Sequence, residues 1–175
     1  DNTDKLPVGI SACLIGKAVR YDGKDALDTY IAKTLVNFMK FIPVCPEFEA
    51  GLGVPREPIG LYGNPSSPRV MTIISKKDIT KSMVRYAKRR INELQHTGIC
   101  GFIFKSRSPS CGIKNVKIYA DKGRILKKGT GIFACLFIKK ALLIPAEDEE
   151  SLGNPKIREN FFDRIFTLKR WREIK

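Results

Sequence analysis

Residues 98–112, GICGFIFKSRSPSCG, contain the feature from which the fold is inferred, an apolar run followed by a polar turn with a cysteine. The run from Ile99 to Phe104 predicts a buried strand, because short apolar runs next to glycine are typical of strands inside a sheet. The residues that follow include three serines, Pro109, Cys111 and Gly112, and this composition favours a turn with exposed backbone N–H groups. A thiol therefore lies just beyond the end of a predicted strand.

Two further cysteines follow predicted strands in the same way. The apolar run from Leu6 to Leu14 predicts a first strand that includes Cys13, and residues Phe41 to Cys45 predict a short second strand. A fourth strand is predicted from Ala141 to Pro145. Apolar stripes and capping residues predict helices over four segments, which are Asp28–Phe38, Asp78–Gln95, Gly131–Lys140 and Asn154–Trp171.

Two segments between these elements have weaker patterns. The roughly thirty residues after Cys45 are rich in glycine and proline and predict a long ordered loop, of the kind that is usually functional. A small strand is predicted within it over Arg69 to Ile74. Residues Val116 to Leu126 predict an extended pair of segments.

Strands that alternate with helices predict an α/β fold with a Rossmann-like parallel sheet flanked by helices. In such sheets, functional sites lie beyond the carboxyl ends of the strands. Cys13, Cys45 and Cys111 each lie at or just past the end of a predicted strand. We therefore expect three distant segments to bring three thiols to one edge of the sheet.

The net charge of +14 is unevenly distributed along the chain. Residues 1–60 carry 7 basic and 8 acidic side chains, whereas residues 61–175 carry 25 and 10. A basic surface of this kind favours polyanions, and RNA is the first candidate in a cell. A solvated surface with no partner is the alternative interpretation.

The cysteine and histidine content excludes several kinds of site. Five cysteines without secretory context argue against a disulfide framework. The single histidine, His96, argues against Ser-His-Asp and Cys-His catalysis and against a histidine-rich zinc site. The longest apolar run is interrupted by Lys139 and Lys140, so no membrane span is expected. We expect a cytoplasmic protein, and a monomer is the working assumption.

Three cysteines are one ligand short of a closed structural zinc or iron–sulfur site. A cubane held by three thiolates leaves one iron without a protein ligand, and that iron is a Lewis acid with an affinity for soft sulfur. The alternative is that all five cysteines are small buried apolar residues. We accept that interpretation for Cys100 and Cys135, which lie inside apolar runs.

Polar residues near the three thiols are the other candidates. Glu47 lies two residues after Cys45 and could serve as a general base, or be an ordinary surface glutamate. Ser108 and Ser110 precede Cys111 and could hydrogen-bond a cluster or a substrate, or simply form a turn. The candidates for substrate binding, which could equally brace loops, are Ser11, Arg20, Asp22 and Arg56.

Three ordered blocks give the chain a resemblance to a known family. They are ISACLIG (10–16) with VRYDG (19–23), CPE (45–47) with GLGVPR (51–56), and FK (104–105) with SPSCG (108–112). From about Val8 to Pro145 the chain resembles the thiouracil desulfidase family, also known as domain-of-unknown-function family 523.

The resemblance implies a [4Fe-4S] cluster on Cys13, Cys45 and Cys111. It implies that the free iron binds the sulfur of a thiolated pyrimidine. Our first hypothesis for that pyrimidine is a 4-thiouracil or 4-thiouridine group, and the sequence does not fix the position of the sulfur. Water activated by Glu47 would replace the sulfur and release sulfide, with the help of Ser108 or Ser110.

The C-terminal segment bears on the substrate. We divide the chain into an iron–sulfur desulfidase domain, residues 1–150, and a basic helical extension, residues 151–175. The sequence from Asn154 to Phe162 resembles the junction in longer relatives, where a second domain follows and the substrate is thiouridine in tRNA. Free thiobase and thiolated tRNA both remain candidate substrates at this point.

Two other functions are compatible with the sequence. One is a non-catalytic RNA-binding module whose cysteines hold a structural metal. The other is a metal-free cysteine enzyme, which the lack of a base such as histidine near the thiols disfavours.

Overall fold

The computed structural model describes residues 5–120 and 122–174, which form eight strands and four α-helices. The strands are β1 (Leu6–Ser11), β2 (Met39–Val44), β3 (Ile59–Tyr62), β4 (Arg69–Thr72), β5 (Gly101–Phe104), β6 (Val116–Tyr119), β7 (Ile125–Gly129) and β8 (Ala146–Asp148). The helices are α1 (Thr29–Lys33), α2 (Thr80–His96), α3 (Ile132–Lys140) and α4 (Pro155–Glu173).

The main sheet is parallel, with strand order β2-β1-β5-β8. One face packs against α2 and α3 through an aromatic cluster that includes Phe102, Phe104, Phe133 and Phe137. The other face is covered by α1 and α4. The structure therefore confirms the prediction of a parallel sheet flanked by helices.

Helix α4 is part of this core. Phe161 and Ile165 are fully buried against β1 and β5, and a Cβ at Gly101 would lie 2.7 Å from Ile165. The helix begins at the predicted Asn154, whose side chain accepts a hydrogen bond from the Lys156 backbone. The division of the chain at residue 150 stays a prediction.

A second sheet, with strand order β4-β3-β6-β7, packs against α2. It contains β3, which lies in the segment predicted to be a long loop, so that prediction is wrong for Ile59 to Tyr62. This strand has only four residues and includes a glycine, and pairing with β4 and β6 stabilises it. The strand predicted over Arg69 to Ile74 is confirmed as β4, which ends at Thr72.

Two other predicted elements differ from the structure. Residues 141–145 form a turn, and the fourth strand is β8, which ends with the buried carboxylate of Asp148. Asp148 tolerates burial because it accepts a hydrogen bond from the Ser151 backbone (2.6 Å). The helix that begins after Asp28 ends at Lys33 and not at Phe38, because the chain turns into β2 at Met39.

None of the helices in the described segments is long and apolar enough to cross a membrane.

Candidate metal centre

The three predicted thiols lie together at the carboxyl edge of the parallel sheet. Cys13 is in a single turn directly after β1, Cys45 is the first residue after β2, and Cys111 is in the turn that follows β5. All three line one cavity of about 420 Å³. Cys100 lies in the apolar core, as the sequence indicated.

Burial raises the pKa of all three thiols, and the charges of neighbouring cysteines raise the pKa values of Cys13 and Cys111 further. Burial, followed by the charge of Cys45, raises the pKa of Cys13 to about 11. Burial raises the pKa of Cys111 well above its usual value, and a hydrogen bond from Ser11 opposes this rise. Burial also raises the pKa of Cys45. A metal centre between the sulfurs would reverse this preference, because thiolates are the ligating form.

The donor set fits an iron–sulfur cluster better than a single ion. In the described part of the chain, no three His, Cys, Asp or Glu side chains are arranged to hold one metal ion. Each thiolate of a cluster binds a different iron, so its ligands stand further apart than those of a single zinc ion. Three sulfur donors around one cavity agree with a cluster that has three protein ligands.

Glu47 lies on the wall of the same cavity and is fixed by two residues. Its Oε2 accepts hydrogen bonds from Nε (3.0 Å) and Nη2 (2.8 Å) of Arg56. Its Oε1 accepts a hydrogen bond from Oγ of Ser110 (2.8 Å). Both oxygens are therefore held in place, and among the residues that the structure describes Ser110 is the one donor to Oε1.

Arg56 has the contacts of a loop-bracing residue. Besides the two bonds to Glu47, its Nη1 donates to the carbonyls of Val19 and Gly53, both at 2.9 Å. These bonds join the loop after β1 to the loop after β2. A direct contact of Arg56 with substrate stays a prediction.

The two candidate serines have different positions. Ser110 is buried and donates to Glu47. The hydroxyl of Ser108 accepts hydrogen bonds from the backbone N–H groups of Ser110 (3.2 Å) and Cys111 (3.1 Å), which closes the turn. Ser110 therefore orients the Glu47 carboxylate, whereas Ser108 stabilises the turn of residues 108–111, which we call the cysteine turn.

The remaining predicted substrate residues are only partly in the cavity. Ser11 lines it, and its Oγ accepts a hydrogen bond from the Lys105 backbone (2.9 Å). Arg20 also lines it, with its guanidinium 5.9 Å from the centroid of the Tyr21 ring. Asp22 is not among the lining residues, and its carboxylate accepts a hydrogen bond from the Lys24 backbone in an exposed turn.

Lys105 is a cavity residue to which the sequence assigned no role. Its Nζ forms an ion pair with Glu149 and a hydrogen bond with Ser106 Oγ (3.0 Å). Glu149 also accepts a hydrogen bond from the Ser106 backbone (2.7 Å), so the segment after β8 is tied to the segment after β5. A charged residue directly after an apolar strand is the signal that could have indicated Lys105.

A series of side-chain contacts connects α2 to Cys45, and no pattern in the sequence indicates it. Glu49 Oε1 accepts a hydrogen bond from the Cys45 backbone N–H (3.0 Å), and its Oε2 accepts one from the Tyr86 hydroxyl (2.7 Å). Arg90 forms an ion pair with the same carboxylate at 3.2 Å. Burial, then the hydrogen bond to Glu49, raises the pKa of Tyr86, so its hydroxyl remains a donor.

The fold and the cavity define a protein with a thiol-lined site at the edge of a parallel sheet, and the comparisons specify its family. The chain belongs to the 2-thiouracil desulfurase family, whose model matches residues 8–149. This confirms the family predicted from the three sequence blocks.

Two individual relatives are similar over most of their length. One is the uncharacterised protein YbbK of Bacillus subtilis (strain 168), which is 28% identical over 146 residues, or 80% of this chain and 95% of that protein. The other is a solved structure, the [4Fe-4S]-dependent thiouracil desulfidase TudS. It superposes with a TM-score of 0.68 at 28% identity and covers 89% of this chain and 97% of its own.

Proposed function

We propose that the protein is a [4Fe-4S]-dependent desulfidase that replaces the sulfur of a 4-thiouracil or 4-thiouridine group with oxygen from water. The thiocarbonyl and one water give a carbonyl and hydrogen sulfide, so no electron donor is needed. The observation that carries the proposal is the single cavity shared by three thiols and the oriented carboxylate of Glu47. Membership of the family and the similarity to TudS support it.

Cys13, Cys45 and Cys111 would hold the cluster. When bound, it supplies an iron without a protein ligand, a Lewis acid suited to the sulfur of the substrate. Among the described residues, four basic side chains line the cavity, and three of them, Arg56, Lys105 and Arg107, form ion pairs with glutamates. Arg20 would therefore contribute positive charge beside the anionic sulfide that leaves.

Glu47 accepts the proton of the attacking water in this proposal. Because Arg56 occupies its Oε2, the proton is transferred to Oε1, the oxygen next to Ser110. The Ser110 hydroxyl fixes the orientation of that oxygen and is a positioning group for the base. Glu47 then returns the proton to the departing sulfur.

We propose thiolated tRNA as the substrate form, since residues 61–175 hold 25 basic and 10 acidic side chains and a polyanion is the partner this favours. The thiolates that would hold the cluster have to stay reduced, so we propose the cytoplasm as the location. The alternative of a non-catalytic RNA-binding module with a structural metal has less support, because no single-ion site is formed in the described residues.

Turnover by Glu47→Gln tests this function. Cluster-loaded protein is incubated anaerobically with 4-thiouracil and, separately, with tRNA that contains 4-thiouridine, and sulfide release is measured. We expect the wild type to release sulfide and Glu47→Gln to keep its iron but lose at least about 100-fold in rate, as is typical for loss of a general base. Glu57→Gln, which alters an exposed carboxylate bonded to Ser75, is the matched control.

Two results would contradict the proposal. Sulfide release at the wild-type rate by Glu47→Gln would remove the carboxylate from the reaction. Absence of sulfide release from both substrates by cluster-loaded wild type would remove the desulfidase function itself.

A further inference from the structure

The hairpin of β6 and β7 is an exposed and strongly basic segment of the chain. Residues 116–129 contain five cationic side chains, which are Lys117, Lys122, Arg124, Lys127 and Lys128. All five are exposed. The proposed function leaves this hairpin without a role.

The base of the hairpin is attached to the cysteine turn. After β7, the Gly131 backbone donates to the Gly112 carbonyl (2.7 Å), and Thr130 Oγ1 donates to the Ile113 carbonyl (3.1 Å). Gly131 lies so close to Ser110 that a Cβ would come within 2.6 Å of its carbonyl. The hairpin therefore starts at the rim of the cavity, beside Cys111.

From this base the hairpin extends away from the site as an arm. Val116 is opposite Gly129 at the base, and Tyr119 is opposite Ile125 at the far end. At about 3.3 Å per residue, the four steps from Gly129 to Ile125 span roughly 13 Å. This length is enough to follow the backbone of a few nucleotides from a base held in the cavity.

Lys117 and Lys128 form a like-charge pair on this arm. They are directly opposite each other across β6 and β7, and both are exposed. Within residues 5–120 and 122–174 neither makes a hydrogen bond or ion pair that would offset the repulsion. Like charges in this position destabilise a sheet, and a bound phosphate would remove the cost.

Protection of a sheet edge does not account for the pair. Lysines commonly shield exposed edge strands from aggregation, and this explains Lys127 and Lys128 on β7, the last strand of the sheet. Lys117, however, lies on β6, which is paired on both sides. Its position is suited to a ligand on the face of the sheet.

We propose that the β6–β7 hairpin is an RNA-binding arm, whose Lys117–Lys128 pair binds a backbone phosphate near the nucleotide that enters the cavity. This inference rests on the proposed function for the identity of that nucleotide. The contacts are to phosphate, so they position RNA without reading its sequence. A neutral free base has no phosphate, so the arm does not contribute to its binding.

Salt-dependent binding tests the arm with a charge-matched control. Lys117→Gln/Lys128→Gln is compared with Lys139→Gln/Lys140→Gln, which removes two exposed lysines at the opposite end of α3. Cluster-loaded protein is titrated anaerobically with a fluorescent single-stranded RNA of about 20 nucleotides that carries one 4-thiouridine. Circular dichroism verifies that both variants fold.

We expect the hairpin variant to lose about 0.7 from the slope of log Kd against log salt, the value for one phosphate on a single strand, and roughly 5-fold in affinity at 0.1 M salt. The control should bind like the wild type. Turnover of free 4-thiouracil should be the same in all three proteins.

Equal RNA affinity for the two double variants would overturn the arm. The proposal would also be overturned if the hairpin variant lost binding to phosphatidylglycerol vesicles but kept its RNA affinity. That result would assign the surface to a membrane. If wild type turns over free base but does not bind RNA, the arm is wrong and the desulfidase function stands. If RNA binds through the hairpin but no thiolated substrate releases sulfide, the surface stands and the proposed function fails.

Discussion

Replacing Arg56 by methionine tests the idea that a buried ion pair builds the reactive side of the cavity. The exposed fractions of the two side chains are 6% for Arg56 and 13% for Glu47, so both charges are largely removed from water. Arg56→Met leaves Glu47 unpaired and also removes donors from the carbonyls of Val19 and Gly53. Loss of one partner of a buried pair costs about 3–5 kcal/mol.

This cost is measured as the free energy of unfolding in urea, in metal-free protein so that unfolding is not coupled to loss of a cofactor. At about 2–4 °C per kcal/mol for a chain of this size, Arg56→Met should also lower the Tm by roughly 6–20 °C. Glu47→Gln in the Arg56→Met background removes the unpaired charge and should recover at least about 1 kcal/mol. A loss below about 1 kcal/mol for Arg56→Met, with additive effects in the double variant, would refute the reasoning.

Three other predictions follow from the same contacts. Ser110→Ala should keep its iron and lower the rate of sulfide release at least about 10-fold, because Glu47 Oε1 loses the hydroxyl that orients it. Ser108→Ala should mainly destabilise the turn, by about 1 kcal/mol. Equal rates of sulfide release for the two variants would contradict this prediction. Tyr86→Phe should destabilise the protein by about 1.5–3 kcal/mol, because the hydrogen bond to the Glu49 carboxylate is lost. It should also speed the loss of iron to a chelator, because Glu49 then holds the Cys45 backbone less firmly. Tyr119→Phe is the control. Burial raises the folded-state pKa of Glu147 above its usual 4.5, so its protonated form is favoured in the fold and stability is lost as the pH rises above about 4.5. Glu147→Gln should therefore be more stable than wild type at pH 7 and equal to it at pH 4 in urea unfolding, and an unchanged difference between the two pH values would count against it.

The meeting of the three thiols could be predicted because its signals are local. Each cysteine follows an apolar run, and the ends of parallel strands share one edge, so Cys13, Cys45 and Cys111 are brought together by topology. Because functional sites of parallel sheets lie beyond the carboxyl ends of the strands, the location of the site at this edge could be predicted as well. Asn154 was equally predictable, since a helix cap depends on the next few residues only.

Features that depend on distant partners were not predictable in the same way. Strand β3 is stabilised by pairing on both sides, and its glycine hides the strand pattern. Strand β8 contains a buried carboxylate, which the hydrogen bond from Ser151 makes tolerable. The contact between Glu49 and Tyr86 joins residues 37 positions apart on separate elements, and no local pattern indicates it.

Residue type alone also left the role of some candidates open. Asp22 and Arg56 were equally suited to substrate binding and to loop bracing. In the structure Asp22 caps an exposed turn, and Arg56 is committed to Glu47 and two carbonyls. Which of two serines contacts the carboxylate depends on the turn geometry around Pro109, and the structure associates Ser110 with it.

Iron and acid-labile sulfide content across single cysteine variants tests the central claim most directly. Each of the five cysteines is replaced by serine, and every protein is loaded with iron and sulfide under anaerobic conditions and compared with wild type by absorption and Mössbauer spectroscopy. We predict four iron and four sulfide per wild-type chain, retained in Cys100→Ser and Cys135→Ser and lost in Cys13→Ser, Cys45→Ser and Cys111→Ser. Full retention of the cluster in any of those three variants, or one zinc per chain in its place, would contradict the account.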